Sequence, residues 1–179
     1  MKNLTTKKLA YVGLFAALAF LSNYLQIPFV TPFGNTRFHL GNMFCLLSGI
    51  ILGPLYGGLS AGLGSAMFDL FDPVYFTSAP TTFINKFAMA AVAGYIFYKS
   101  KDQPSKSRIV VASILGQLTY IILYLLKTFI KNYYILGLSG PATWTEIAQK
   151  AGVSLVNGVI SVIFASILAI PLLKAVKFE

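Results

Sequence analysis

Two ionisable side chains, Asp69 and Lys86, interrupt apolar stretches long enough to fit a lipid bilayer. A charge among acyl chains is costly, so such residues are read as functional unless a partner or the interface relieves them. Spacing alone leaves two readings open. The pair meets across the short loop between them, or each sits at the membrane surface with the Lys86 stem snorkelling to water. Further along, Gln117, Tyr120, Tyr124 and Thr128 recur at i, i+3, i+7 and i+11, which gathers an amide, two phenols and a hydroxyl on one helical face. Ser154, Asn157 and Ser161 form a second polar stripe at i, i+3 and i+7. The serines are expected to serve helix packing, whereas Asn157 suits a neighbouring helix or a ligand equally. What these groups offer together is recognition by hydrogen bonding and stacking.

Bond-breaking chemistry finds little support. His39 is the only histidine, and Gly64-Ser65, the nearest approach to a nucleophile turn, lies in a glycine-rich helix better suited to packing. The sequence shows no carboxylate pair, no metal-ligand cluster and no phosphate-cradling glycine loop followed by lysine. An enzyme is therefore not expected, nor a metal or cofactor. Cys45 is the only cysteine, which excludes an intramolecular disulfide. The net charge of +9 is spread over helix ends rather than gathered in one patch, the pattern of topology signals and not of nucleic-acid binding.

What must position the polar residues is a set of membrane helices. Hydrophobic residues make up 56% of the 179 and charged ones only 11%, with a mean hydropathy of +0.74. Soluble domains carry charge at about a quarter of positions. A hydrocarbon core of about 30 Å needs about 20 apolar residues per helix, so the chain is expected to form one domain, residues 1–179, of six spans. The first, 9–27, follows Lys7 and Lys8 and reads as a retained helix, because no small-residue cleavage site and soluble domain come after it. Residues 28–42 read as a turn-rich loop with Pro32, Gly34, Asn35, Arg37 and His39. The uncharged run 43–68 breaks at Gly53-Pro54 and reads as a helical hairpin of spans two and three. A loop at 72–82 leads into span four, capped by Thr81 or Thr82 and ending near Tyr98. The most hydrophilic segment, 99–108, precedes span five at 109–127; a third loop is expected at 131–145 and span six at 152–173.

On such a path Lys2, Lys7, Lys8, Lys99, Lys101, Lys106, Arg108, Lys174 and Lys177, nine of the fourteen basic residues, share one side. Arg37, Lys127, Lys131 and Lys150 fall near the other. The positive-inside rule then places both termini in the cytoplasm and the three longer loops outside, where a ligand pocket should open. No internal repeat supports an inverted-repeat transporter. On the first helix Gly13 and Ala17, flanked by Ala10 and Ala16, make a small-residue surface open to another helix of this chain or of another subunit.

The order and spacing of these features make the chain resemble the S components, the substrate-binding membrane subunits of energy-coupling factor (ECF) transporters. The matching residues are a basic amino terminus leading into Leu14-Phe15-Ala16-Ala17-Leu18, the run Arg37-Phe38-His39-Leu40-Gly41-Asn42, and Gly53-Pro54-Leu55-Tyr56-Gly57-Gly58 after an apolar helix. A glycine-rich third helix ending near Asp69 completes them. The family's first helix carries two alanines four apart; Gly13 and Ala17 match with glycine in the first place, which keeps the surface flat.

The resemblance implies an all-α, multi-pass protein of the bacterial cytoplasmic membrane. It would bind a water-soluble vitamin or precursor with high affinity in an outward pocket built from helices four to six and capped by the loops after helices one, three and five. It also implies partners, a transmembrane coupling subunit and two ATPases, reached through Gly13, Ala16 and Ala17. On this reading Asn85, Lys86, Gln117, Tyr120, Tyr124 and Asn157 bind substrate, with Asn42 and Trp144 as cap contacts, and riboflavin, pyridoxine and pantothenate are the ligand classes. A mostly apolar cavity with a few convergent polar groups suits a small heteroaromatic or amide-bearing ligand. The rival expectation is a self-sufficient small-solute channel or facilitator. That would need a polar path to the cytoplasmic side, and the connections near Gly53-Pro54 and Tyr98 read as apolar and tight.

Overall fold

Apolar helices punctuated by proline and glycine build the molecule. The computed structural model describes residues 6–31, 34–99 and 105–176. Helix α1 covers Thr6–Ser22, α2 Gly41–Leu52, α3 Pro54–Phe71, α4 Ala79–Tyr98, α5 Lys106–Phe129 and α6 Gly140–Ala175. A two-stranded antiparallel hairpin, β1 Gln26–Thr31 and β2 Gly34–His39, joins α1 to α2. Lys2, Lys101 and Lys177, counted above toward orientation, and Pro32 lie outside the described residues.

Helix α2 is the axis. Its sequence is apolar all round apart from Asn42 and Ser48, which suits a helix with no outer face. It touches α1, α3, α4, α5 and α6, and those five neighbour one another in that order around it. At 12 residues it is about 18 Å long, shorter than a hydrocarbon core of about 30 Å. Of the six expected spans, α2 is thus a short, buried core helix. The stretches Lys106–Ile135 and Gly140–Ala175 are each long and apolar enough to cross a membrane. Their outward faces carry Val111, Leu118 and Ile122 and then Val159, Ile163 and Ile167, all exposed, while Ser113, Gln117, Ser154, Asn157 and Ser161 are buried. Apolar side chains outside and polar ones inside is the arrangement that lipid favours and water does not.

Close approach of backbones holds the axis in place. Gly49 of α2 lies against the Ala90 main chain of α4, and Gly94 lies against the Gly49 carbonyl, so a β-carbon at either position would overlap backbone. Gly53, with φ of 83°, makes the turn from α2 to α3 that an L side chain resists, and Pro54 then opens α3.

Helix α4 begins at Ala79 with Ser78, not Thr81 or Thr82, at its cap, and two further segments differ from the sequence reading. The loop expected at 28–42 is the hairpin, with Gln26 opposite His39 and Thr31 opposite Gly34. Its Phe, Val, Thr and Ile residues favour strand, and β1, which pairs with no strand other than β2, tolerates Pro28. The loop expected at 131–145 shrinks to 136–139, because a π-helical turn, Ile130–Ile135, extends α5 and α6 begins at Gly140. Gly140-Pro141 reads as a breaker, yet proline in a first helical turn loses no hydrogen bond and starts a helix as readily as it ends one.

Gly49→Ala is expected to cost about 1–3 kcal/mol of stability through overpacking. Gly152→Ala on the open side of α6, where a β-carbon meets nothing within 4 Å, is expected to be neutral or to stabilise by up to about 1 kcal/mol. Thermal melts of detergent-purified variants check both, and equal destabilisation by the two would contradict the packing described.

Candidate ligand-binding site

The end of the bundle that carries the hairpin holds a cavity of about 440 Å³. Asn85 and Lys86 of α4, Tyr120 and Tyr124 of α5 and Asn157 of α6 all line it. Helical periodicity brings Tyr120 and Tyr124 one turn apart, with rings stacked at 5.7 Å and tilted by only 6°. Lys86 Nζ lies 4.2 Å from the Tyr120 centroid and Lys150 Nζ 5.6 Å from that of Tyr124. One wall is thus a stacked pair of phenol rings with a cation over each ring.

Lys86 is buried and donates a hydrogen bond to Asn42 Oδ1, while Asn42 Nδ2 donates to Gln117 Oε1 at 3.2 Å. Asn42 and Gln117, expected at the ligand, stand behind Lys86 instead and fix where its ammonium points. The polar stripe on α5 is longer than the cavity, so only its outer turns reach it; Gln117 packs against Gly158 of α6.

Asn157 does the work of a missing strand. Its Nδ2 donates to the Arg37 carbonyl at 2.9 Å and its Oδ1 accepts from the His39 N–H at 3.3 Å, which ties the edge of β2 to α6. Arg37 closes the other side: its guanidinium bonds Asp69 at 2.7 Å and Asp72 at 3.3 Å and lies over the rings of Phe68 and Tyr75 at 4.9 and 4.0 Å. Thr82 Oγ1 donates to the second Asp69 oxygen at 2.5 Å. The pairing of Asp69 with Lys86 is therefore corrected, because the hairpin brings a guanidinium to the carboxylate from 32 residues away. Arg37 went unread as a site residue although it is the one cation in the 28–42 segment.

Trp144 does not reach the cavity. It is 62% exposed and packs on Phe129 at 5.8 Å, since the early start of α6 turns it to the outer face beside Tyr133 and Tyr134. The same early start brings Glu146 and Lys150 inward: Glu146 accepts from Lys150 at 2.6 Å and from Asn132 at 2.5 Å. With Lys127 and Lys131 they line the cavity, a set hidden by placing 131–145 in a loop. The small-residue surface on α1 also divides. Gly13 and Ala17 face outward, whereas Ala16 is turned inward and its carbonyl meets Gly64 of α3.

His39 Nδ1 accepts from the Gly41 N–H at 3.1 Å, which leaves the ring proton on Nε2. Burial, then the charges of Lys86 and Arg37, hold the His39 imidazole well below its usual 6.5. Burial likewise pushes the Tyr75 phenol up to about 12, so both groups are neutral at pH 7. The unfolded chain protonates His39 near 6.5 and the folded one does not, so unfolding takes up a proton on the acid side. Stability is complete above about pH 6.5 and falls as the pH drops below it. Melting temperatures taken between about pH 8 and pH 5 should show that acid limb, and His39→Asn should flatten it; an unchanged slope in the variant would contradict the assignment.

Sequence comparison places this geometry. The family described as ECF-type riboflavin transporter, S component, matches residues 3–177. No curated protein matches the sequence. A solved structure of the S component of a bacterial ECF transporter superposes with a TM-score of 0.64 at 21% identity, over 96% of this chain and 98% of that one. Identity that low establishes a shared fold alone. The match over nearly the whole length establishes more: the chain belongs to the family of ECF-type riboflavin transporter S components.

Proposed function

We propose that this chain is the high-affinity substrate-binding membrane subunit of an ECF-type transporter for a water-soluble vitamin, with riboflavin as its ligand. The cavity carries this reading. Its volume of about 440 Å³ lies in the range of about 300–1,000 Å³ typical of small-molecule sites. The stacked faces of Tyr120 and Tyr124 suit a flat heteroaromatic ring, and Lys86 and Asn85 offer donors to its carbonyl edge. Pantothenate has no ring to stack, and the family match favours riboflavin over pyridoxine.

In this reading the bundle crosses the bacterial cytoplasmic membrane with the cavity outside and both termini inside. The start of α1 stands beside the start of α3, with Lys8 over the Tyr56 ring at 4.2 Å, and Lys99 and Lys106 belong to the same end, opposite the hairpin. Basic groups gathered there fit a cytoplasmic face. Gly13 and Ala17, exposed beside Leu14 and Leu21, form a flat apolar strip onto which a helix of a transmembrane coupling subunit fits, the two ATPases acting through that subunit. A channel gains no support: at the basic end Gly94 lies against the Gly53-Pro54 turn and the Tyr98 hydroxyl donates to the Ile51 carbonyl at 3.1 Å.

Mass spectrometry of protein purified in mild detergent should release riboflavin, and riboflavin should raise the melting temperature of ligand-depleted protein. Absence of flavin together with no stabilisation by it would overturn the reading. Gly13→Leu and Ala17→Leu are expected to retain riboflavin binding and to lower uptake by about tenfold or more in membranes containing the coupling subunits. Loss of binding in those variants would instead assign that face to packing within the chain.

A further inference from the structure

Charge around the cavity does not balance. Arg37, Lys86, Lys127, Lys131 and Lys150 line it together with two carboxylates, Asp69 and Glu146. Both carboxylates are engaged, Asp69 by Arg37 and Glu146 by Lys150. Among the described residues no ion pair neutralises Lys127 or Lys131.

The surplus is concentrated at one end. Lys127 and Lys131 stand one turn apart on α5 and its π-helical extension, Lys150 lies across from them on α6, and Lys127 feels the charge of both. The C-terminal dipole of a helix amounts to about half a negative charge, too little to offset three ammonium groups that share one carboxylate. All three line the cavity, Lys127 and Lys150 half-buried and Lys131 exposed. Lys150 also lies over the Tyr124 ring, so the cationic end continues directly from the stacking wall.

We infer that Lys127, Lys131 and Lys150 form an anion subsite, and that the ligand class this cavity prefers is an acidic form of the vitamin, with its ring on Tyr120 and Tyr124 and a carboxylate or phosphate on the lysines. The inference rests on the proposed role of the cavity and narrows it. Such a group would receive up to three charge-assisted hydrogen bonds while Lys86 remains at the ring end.

Riboflavin and riboflavin 5′-phosphate are a matched pair that differs at that end alone. Titrated into ligand-depleted purified protein, the phosphate ester is expected to bind about tenfold tighter than riboflavin, the equivalent of one charge-assisted hydrogen bond, and inorganic phosphate should compete with the ester more than with riboflavin. The ratio of the two affinities should fall about tenfold in a Lys127→Gln, Lys150→Gln double variant and recover when both lysines become arginine. Reading a ratio within each variant removes any general loss of folded protein. Riboflavin binding with no advantage for the ester, or a ratio untouched by the glutamine substitutions, would overturn the subsite and leave the proposed function standing. Binding of neither flavin would overturn both.

Discussion

A polar group placed among apolar helices must find its partner inside the bundle, because neither lipid nor core supplies one. Lys86 meets that demand through Asn42, and Asn42 through Gln117. The chain of bonds needs α2 and α4 to lie close, and the glycines provide it. Asn42 and Gly49 are seven residues apart on α2, and Lys86 and Ala90 four apart on α4, so the contact of Gly49 with Ala90 belongs to the same interface, about two turns along α2 and one along α4. Backbone proximity at one level sets the reach of a cation at another. Without Asn42, Lys86 would be a buried charge facing only an aromatic ring.

The hairpin is held over the cavity by two links of different kind. Asn157 satisfies β2 through its backbone, with one donor and one acceptor aligned as a neighbouring strand would align them. Arg37 binds through its side chain, gripping two carboxylates while two aromatic rings cover its faces. Its side chain is 13% exposed and that of Asp69 only 2%, so the pair is partly desolvated and its geometry is well determined. One link joins the hairpin to α6 and the other to α3 and the loop after it. Any ligand large enough to fill the cavity would contact elements fixed by both.

Much of this was legible in the sequence where helical periodicity governs. The spacing of Tyr120 and Tyr124 gave their shared face, and Lys86 and Asn85 follow from the position of α4. Periodicity carries no information on depth, so Gln117 read as a ligand contact when it stands one layer behind, and Asn42, read as a cap contact in a loop, sits in the first turn of α2 beside it. Nor does it report pairing between distant segments, and for that reason Arg37 was invisible as the partner of Asp69. The prolines and glycines misled in both directions. Pro28 concealed a strand and Gly140-Pro141 concealed a helix start, and the second error left Trp144 in a loop as a cap contact and hid Glu146 and Lys150.

The central claim is that helices four to six and the hairpin enclose a site in which a flat ligand lies against two stacked phenols. An experimentally determined structure of the protein with its co-purified ligand tests it most directly. The expected result is the ligand ring parallel to Tyr120 and Tyr124, with Lys86 at its edge and the hairpin closed over it by Arg37 and Asn157. A ligand seated elsewhere, or Lys86 turned out toward lipid, would contradict it.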